Sequence, residues 1–168
     1  MLVLNNHCGK GAPLLSFVIM ARNDQYMGNG RWRLETTLDF LGMNLGRLGR
    51  SEEVEIIIVD WQSEIPLYQE LKLSRETVAI TRFIIVPPDA GLDFECDFPR
   101  PVILNTGIRR ARGKFIIQTL GDVLWTTEAL SRLFAIALMA GVAEETLYVI
   151  GRKEIPYDFV STLSLIHI

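Results

Sequence analysis

Short β-branched and aliphatic runs alternate along this chain with segments of helical apolar spacing, and no other feature restricts its fold as much. "LLSFVIMA" (14–21), "VEIIIVD" (54–60), "RFIIVPP" (82–88) and "KFIIQTL" (114–120) are too short for buried helices and rich enough in Ile and Val to be strands. Between the first two, "RWRLETTLDFLGMNL" (31–45) places Trp32, Leu34, Leu38, Leu41 and Leu45 at roughly helical spacing, ahead of Gly46 and Gly49. A short helix is expected over 66–73, with Pro66 in its first turn, and another from 102 to 112, closed by Gly113. A longer helix is expected from Thr126 to near Gly141, and "TLYVIGR" (146–152) reads as a last strand. Residues 90–101, rich in Asp, Gly, Pro and Phe without periodicity, read as a surface loop.

Strand and helix in strict alternation predict an α/β fold: a mostly parallel, Rossmann-like sheet with helices on both faces, because parallel neighbours need crossover connections. The 168 residues suffice for a single domain, with a core expected over about 15–152. Seventeen basic against twenty acidic residues give a net charge of −3, which supplies no global attraction to nucleic acid or to an anionic membrane. Cys8 and Cys96 form neither a zinc spacing nor a disulfide framework, so a reducing compartment is expected. Neither a leader nor a run near the ~20 apolar residues of a membrane span is present, so the expectation is a cytoplasmic chain without a transmembrane segment. The closing "STLSLIHI" has no cap or turn logic and is similar to translated sequencing-adapter sequence, so 160–168 is expected to be a non-native tail.

Ligands of such sheets sit beyond the carboxyl ends of the strands. The segments to inspect are therefore "ARND", "DWQSE", "PPDAG" and "LGDV". Asp60, at the end of "EIIIVD", is placed either to meet a ligand or to close an Asx turn onto the amide of Gln62 or Ser63. Asp122, just behind "FIIQTLG", is placed either to meet a ligand or to serve as a turn carboxylate, with Thr126 and Thr127 better suited to cap the next helix.

Taken together and in order, "SFVIMARND", "VEIIIVDWQSE" and "NTGIRRARGKFIIQTLGDV" resemble the nucleotide-binding half of family 2 glycosyltransferases of the GT-A fold, over about 15–152. The resemblance implies an inverting transfer of a sugar from a nucleotide-diphosphate donor to an acceptor hydroxyl, on a saccharide or another molecule. It implies a divalent cation, magnesium or manganese, held by the Asp-x-Asp motif after the fourth strand. That motif reads Leu120-Gly121-Asp122 here, so Asp122 matches its second acid, the one that commonly touches the metal, and a leucine replaces the first. Asp60 matches the position that bonds base or ribose. Ala21, Arg22 and Asn23 match the loop lining the base pocket, although Arg22 stands where an aromatic or small residue is usual. "NTGIRRARG" matches the Asn-x-Gly-x-x-x-Ala-x-Gly helix: Asn105 would face ribose or phosphate, Gly107 would let the helix approach a strand, and Arg109 would face the diphosphate. The family's general base lies well downstream of the metal motif, so it is expected to fall outside these residues, leaving the donor-binding half with an incomplete C-terminus.

Other patterns carry less. "MGNGRW" holds a Gly-x-Gly but not the dinucleotide fingerprint, and reads as a loop beside the sugar site; "GKGAP" lacks the spacing of a phosphate-binding P-loop. Trp61 and Trp125 follow the site acids closely and fit burial against the sheet better than stacking on a ligand. A rival reading of a different class is a non-catalytic nucleotide-binding or regulatory module that lost the first acid of the metal motif. A nucleotidyltransferase on the same sheet would carry a glycine-rich basic loop after the first strand, of which "ARNDQYMGNG" supplies only part.

Overall fold

The computed structural model describes residues 2–4, 11–24, 28–91, 94–139 and 151. Its strands are β1 (Leu2–Leu4), β2 (Leu15–Ala21), β3 (Val54–Trp61), β4 (Thr81–Val86) and β5 (Phe115–Thr119), and they form one sheet in the order β1-β5-β2-β3-β4. β2 pairs in parallel with both β3 and β5, β3 pairs in parallel with β4, and only β1 runs antiparallel, against β5. Helices α1 (Gly30–Arg47), α2 (Leu67–Glu70), α3 (Arg75–Ile80), α4 (Arg100–Ile108) and α5 (Thr127–Leu138) supply the crossovers and cover the sheet. The expected α/β class with a mostly parallel sheet is therefore present. The strand expected at 146–152 lies outside the described residues, save Gly151, which is in no element. Among the described residues no helix is long and apolar enough to cross a membrane.

The pattern of β3 explains its place. All eight positions of Val-Glu-Ile-Ile-Ile-Val-Asp-Trp are buried, because strands pack on both edges and helices on both faces, so inside-outside alternation disappears. On one face Phe17, Ile19, Ile56, Ile58 and Ile117 meet Leu34, Leu38, Leu41 and Leu45 of α1 and Leu130, Leu133 and Phe134 of α5. On the other face Val18, Ile57, Val59 and Ile116 meet Ile103 of α4. β4 is an edge strand and only partly covered.

Two helices depart from the expected bounds. The segment expected as one helix over 66–73 holds only α2, and a second helix, α3, follows it, capped where Ser74 Oγ accepts from the Thr77 N–H. α4 runs from Arg100 to Ile108 rather than from 102 to 112, so Gly113 does not close it. Gly113 instead passes tightly against β2: a Cβ there would lie 2.7 Å from Ser16 N, and its N–H donates to Ser16 Oγ at 2.8 Å. Gly107 does what the sequence led one to expect. Its missing side chain lets α4 seat on the sheet, where a Cβ would stand 2.5 Å from Val18 Cγ1 and 2.9 Å from Val59 Cγ2.

The amino-terminal rim of the sheet is closed by a polar cluster centred on Glu55, which is almost fully buried. Its Oε1 accepts from Ser16 Oγ at 2.6 Å and from the Arg112 N–H at 2.5 Å, and its Oε2 accepts from Arg82 Nη2 at 3.0 Å. Three strands and the approach to β5 are thereby tied at one end. The opposite end is left to the loops.

Candidate functional site at the strand ends

Register places the carboxyl ends of the parallel strands on one rim. Ala21 is opposite Asp60, Asp60 is opposite Ile85, and Ile19 is opposite Thr119. Asp122 follows the end of β5 by three residues, so Asp60 and Asp122 lie on the same rim with β2 between their strands. Chain direction reverses its march across the sheet between β2 and β5, and a crevice for ligands opens at such a switch point.

Asp122 sits at that switch point on a turn closed by the Val123 N–H donating to Leu120 O at 3.4 Å. It is exposed and has no hydrogen-bond or ion-pair partner among the described residues. Beside it, a Cβ on Gly121 would stand 3.0 Å from Leu34 Cδ1, which puts the turn against the first turns of α1. α1 starts at this same rim. Its N-cap residue Asn29 has a left-handed backbone and makes no side-chain cap bond, and the first turn contains Arg31, ion-paired with Glu70 of α2, and Arg33, with no acid of its own. An uncapped helix start with basic neighbours favours anions, since several N–H groups point outward from the positive end of the helix dipole.

Asp60 is different. Its side chain is fully enclosed, Oδ1 accepts from Ser63 Oγ, and Oδ2 accepts from the Leu67 N–H at 2.7 Å at the start of α2. Burial raises its pKa above the ordinary 3.8, against the opposing pull of those two hydrogen bonds. Both oxygens are used within its own loop, so this geometry lends no support to the expected contact of Asp60 with base or ribose. The Asx-turn alternative had the right principle but the wrong partners, since the acceptor reaches past Gln62 to the Ser63 hydroxyl and the Leu67 amide.

The loop after β2 is tied to the loop after β3. The Asn23 N–H donates to Ser63 Oγ at 2.8 Å and Asn23 Nδ2 donates to Ile65 O at 2.9 Å. Ala21 is half-buried against the first core cluster. Arg22 bonds Asp24 through Nε at 2.7 Å, reaches Asp97 O at 3.3 Å, and lies over the Phe98 ring at 5.6 Å. Trp61 is buried, with its indole N–H donating to Asp97 O at 3.1 Å and its ring 5.8 Å from that of Phe94. Trp125 is buried too, edge-on to Phe17 at 5.2 Å, so both tryptophans are core residues as expected.

Asn105 and Arg109, expected beside ribose and diphosphate, are not brought to this rim. Asn105 is two residues, about 200°, from the sheet-facing Gly107 around α4, and it is exposed on the far side of the helix. α4 runs back along the sheet, so its C-cap Arg109 lies at the amino-terminal rim, where the adjacent Arg110 O accepts from Arg82 Nη2 at 2.7 Å. That is the wrong end for a diphosphate at the switch point. A cleft of about 570 Å³ opens at this amino-terminal rim, between Glu52, Glu55, Glu76, Arg82 and Arg112. Its three carboxylates outnumber its two guanidiniums and it lies at the rim opposite the strand carboxyl ends, so the strand-end crevice is the better candidate.

Sequence reasoning named Ser63 beside Asp60 by its amide and not its hydroxyl, and missed Phe94, Asp97 and Phe98. The Asp-x-x-Ser spacing was a usable signal for Ser63. Nothing periodic marked the other three, which lie in the long irregular connection from Val86 to Arg100. Among the described residues no three His, Cys, Asp or Glu side chains gather into a metal cage. No protein-family model matches the chain, and no curated protein matches it.

Proposed function

We propose that this chain is the donor-binding half of a nucleotide-diphospho-sugar glycosyltransferase of the GT-A fold, similar to family 2 and inverting. One observation carries the reading: an unpartnered carboxylate, Asp122, stands beside the uncapped, arginine-bearing start of α1 at the switch point of a parallel sheet. A nucleoside diphosphate needs donors for its phosphate oxygens and a cation to offset its charge, and this pairing offers both.

Asp122 fits the cation. Magnesium and manganese take oxygen ligands, and magnesium is commonly bound through one or two carboxylates, with phosphates and water completing its shell. The bound cation would stabilise charge on the departing diphosphate. The chain's own residues do the rest: α1's first turn orients the phosphates, Ala21, Arg22 and Asn23 form the wall toward the base, and Asp60 holds that wall in place through Ser63. The proton acceptor for the acceptor hydroxyl is assigned to no residue described here.

A second reading, a nucleotide-binding module without transfer activity, is favoured by the exposed Leu120 in the place of the motif's first acid. Calorimetric titration with uridine and guanosine diphosphate, with and without manganese, tests the shared core of both. Manganese-dependent binding supports a donor site; no binding of either nucleotide contradicts it. Transfer of labelled sugar from a nucleotide donor then separates enzyme from module.

A further inference from the structure

The connection between β4 and α4 does something that neither the strand-end crevice nor the sheet requires. At residues 94–98 it crosses the rim from the Trp61 end of β3 to Arg22 behind β2, and a single carbonyl, Asp97 O, takes hydrogen bonds from both. The second of these bonds, at 3.1 Å, is at the long end of the ordinary range and the first, at 3.3 Å, is just beyond it. Two ring contacts complete the attachment, Phe94 on Trp61 and Phe98 under the Arg22 guanidinium. None of the backbone N–H groups of 94–98 donates to a described residue, and residues 94–97 are exposed.

We propose that residues 94–98 are a strap that lifts as a unit from Arg22 and Trp61, and that a nucleoside diphosphate enters beneath it. This rests on the donor-site reading. The segment is held through side chains of the two strand ends and by Phe98, which also packs against the second core cluster, so lifting it breaks no sheet ladder and no helix bond but uncovers that edge of the core. Segments with few backbone hydrogen bonds and exposed contacts open first. Closed, the strap covers the Trp61 indole and occupies the Arg22 guanidinium. Open, it presents Arg22 and the Phe98 ring to the crevice, a cation and a π face of the kind on which nucleobases stack. The closed state then lowers apparent nucleotide affinity by the fraction of molecules that are open.

The test uses the intact chain and its indole N–H groups, followed by nitrogen-15 NMR. Trp125 is the internal control, because its indole N–H donates to Thr119 Oγ1 at 3.1 Å inside the core, away from the strap. The Trp61 indole N–H is expected to exchange with solvent faster than that of Trp125. Phe94→Ala should speed Trp61 exchange about 2- to 10-fold, the range of one aromatic contact, and leave Trp125 unchanged. Uridine or guanosine diphosphate with manganese should bind Phe94→Ala more tightly than wild type, by roughly the same factor. Trp61 exchange as slow as that of Trp125 and unmoved by Phe94→Ala would overturn the strap, whatever the nucleotide does. Weaker nucleotide binding by Phe94→Ala would overturn the gating, since the segment would then be a wall of the site. A Trp61 indole released by the variant with no nucleotide bound to either protein would leave the strap standing and remove the donor-site reading instead.

Discussion

The Asn23 N–H donates to Ser63 Oγ at 2.8 Å, and through that hydroxyl the loop after β2 is joined to the carboxylate at the end of β3. The bond makes Asp60 a support for the crevice wall rather than part of its lining. Its environment is then a property that stability measurements can read.

Asp60→Ala removes the acceptor for both the Ser63 hydroxyl and the Leu67 amide in a buried setting, and is expected to cost about 1–3 kcal/mol. Asp60→Asn keeps the size and one acceptor and removes the buried charge, so it should cost less. The pH dependence has a definite sign. A carboxyl whose folded pKa is raised binds its proton more readily folded than unfolded, so its stabilisation is full below 3.8 and is lost as pH rises through the raised value. Wild type should therefore gain stability relative to Asp60→Asn as pH falls from neutrality toward 3.8, measured by urea denaturation across that window. A difference that is flat, or that moves the other way, would contradict the buried placement.

Gly107→Ala sets two effects against each other. Alanine is the better helix former by about 1 kcal/mol. Its Cβ, however, would stand 2.5 Å from Val18 Cγ1, and overpacking of that kind costs about 1–3 kcal/mol. The second effect is expected to win, with a lower urea midpoint at unchanged slope.

Glu55→Ala should be more damaging than a typical surface change, since Ser16 Oγ and the Arg112 N–H lose their acceptor and Arg82, which keeps Arg110 O, loses its ion pair. Loss of one partner of a buried pair costs about 3–5 kcal/mol, but the Arg82 side chain is 33% exposed, so solvent screening lowers the expectation to about 2–3 kcal/mol. Nucleotide binding at the opposite rim should be unchanged once the folded fraction is taken into account.

Much of the scaffold was legible in the chain and much of the site was not, for different physical reasons. β2, β3 and β5 announce themselves because strands buried on both faces need unbroken apolar runs, and the partly covered edge strand β4 by its Phe-Ile-Ile-Val run. β1 could not be anticipated: three residues carry no period, and their place beside β5 is a long-range choice. α3 hid because Ser74 begins it within a segment whose apolar spacing continues that of α2. Among the site residues, rim membership of Asp60 and Asp122 follows from strand order alone. Whether a side chain then faces a ligand or its own loop depends on contacts such as Ser63 to Asp60, which spacing does not encode. The placement of Arg109 was hidden for a related reason, since motif order says nothing about which end of α4 lies over which rim.

The decisive measurement is manganese-dependent binding of uridine or guanosine diphosphate to wild type and to Asp122→Ala, with urea denaturation of both. Asp122 is exposed and unpartnered, so the substitution should leave stability within about 0.5 kcal/mol. Binding that requires manganese in wild type and is lost in Asp122→Ala is the expected result. Equal binding by the two proteins, or none by either, would contradict a cation-assisted diphosphate site at the switch point.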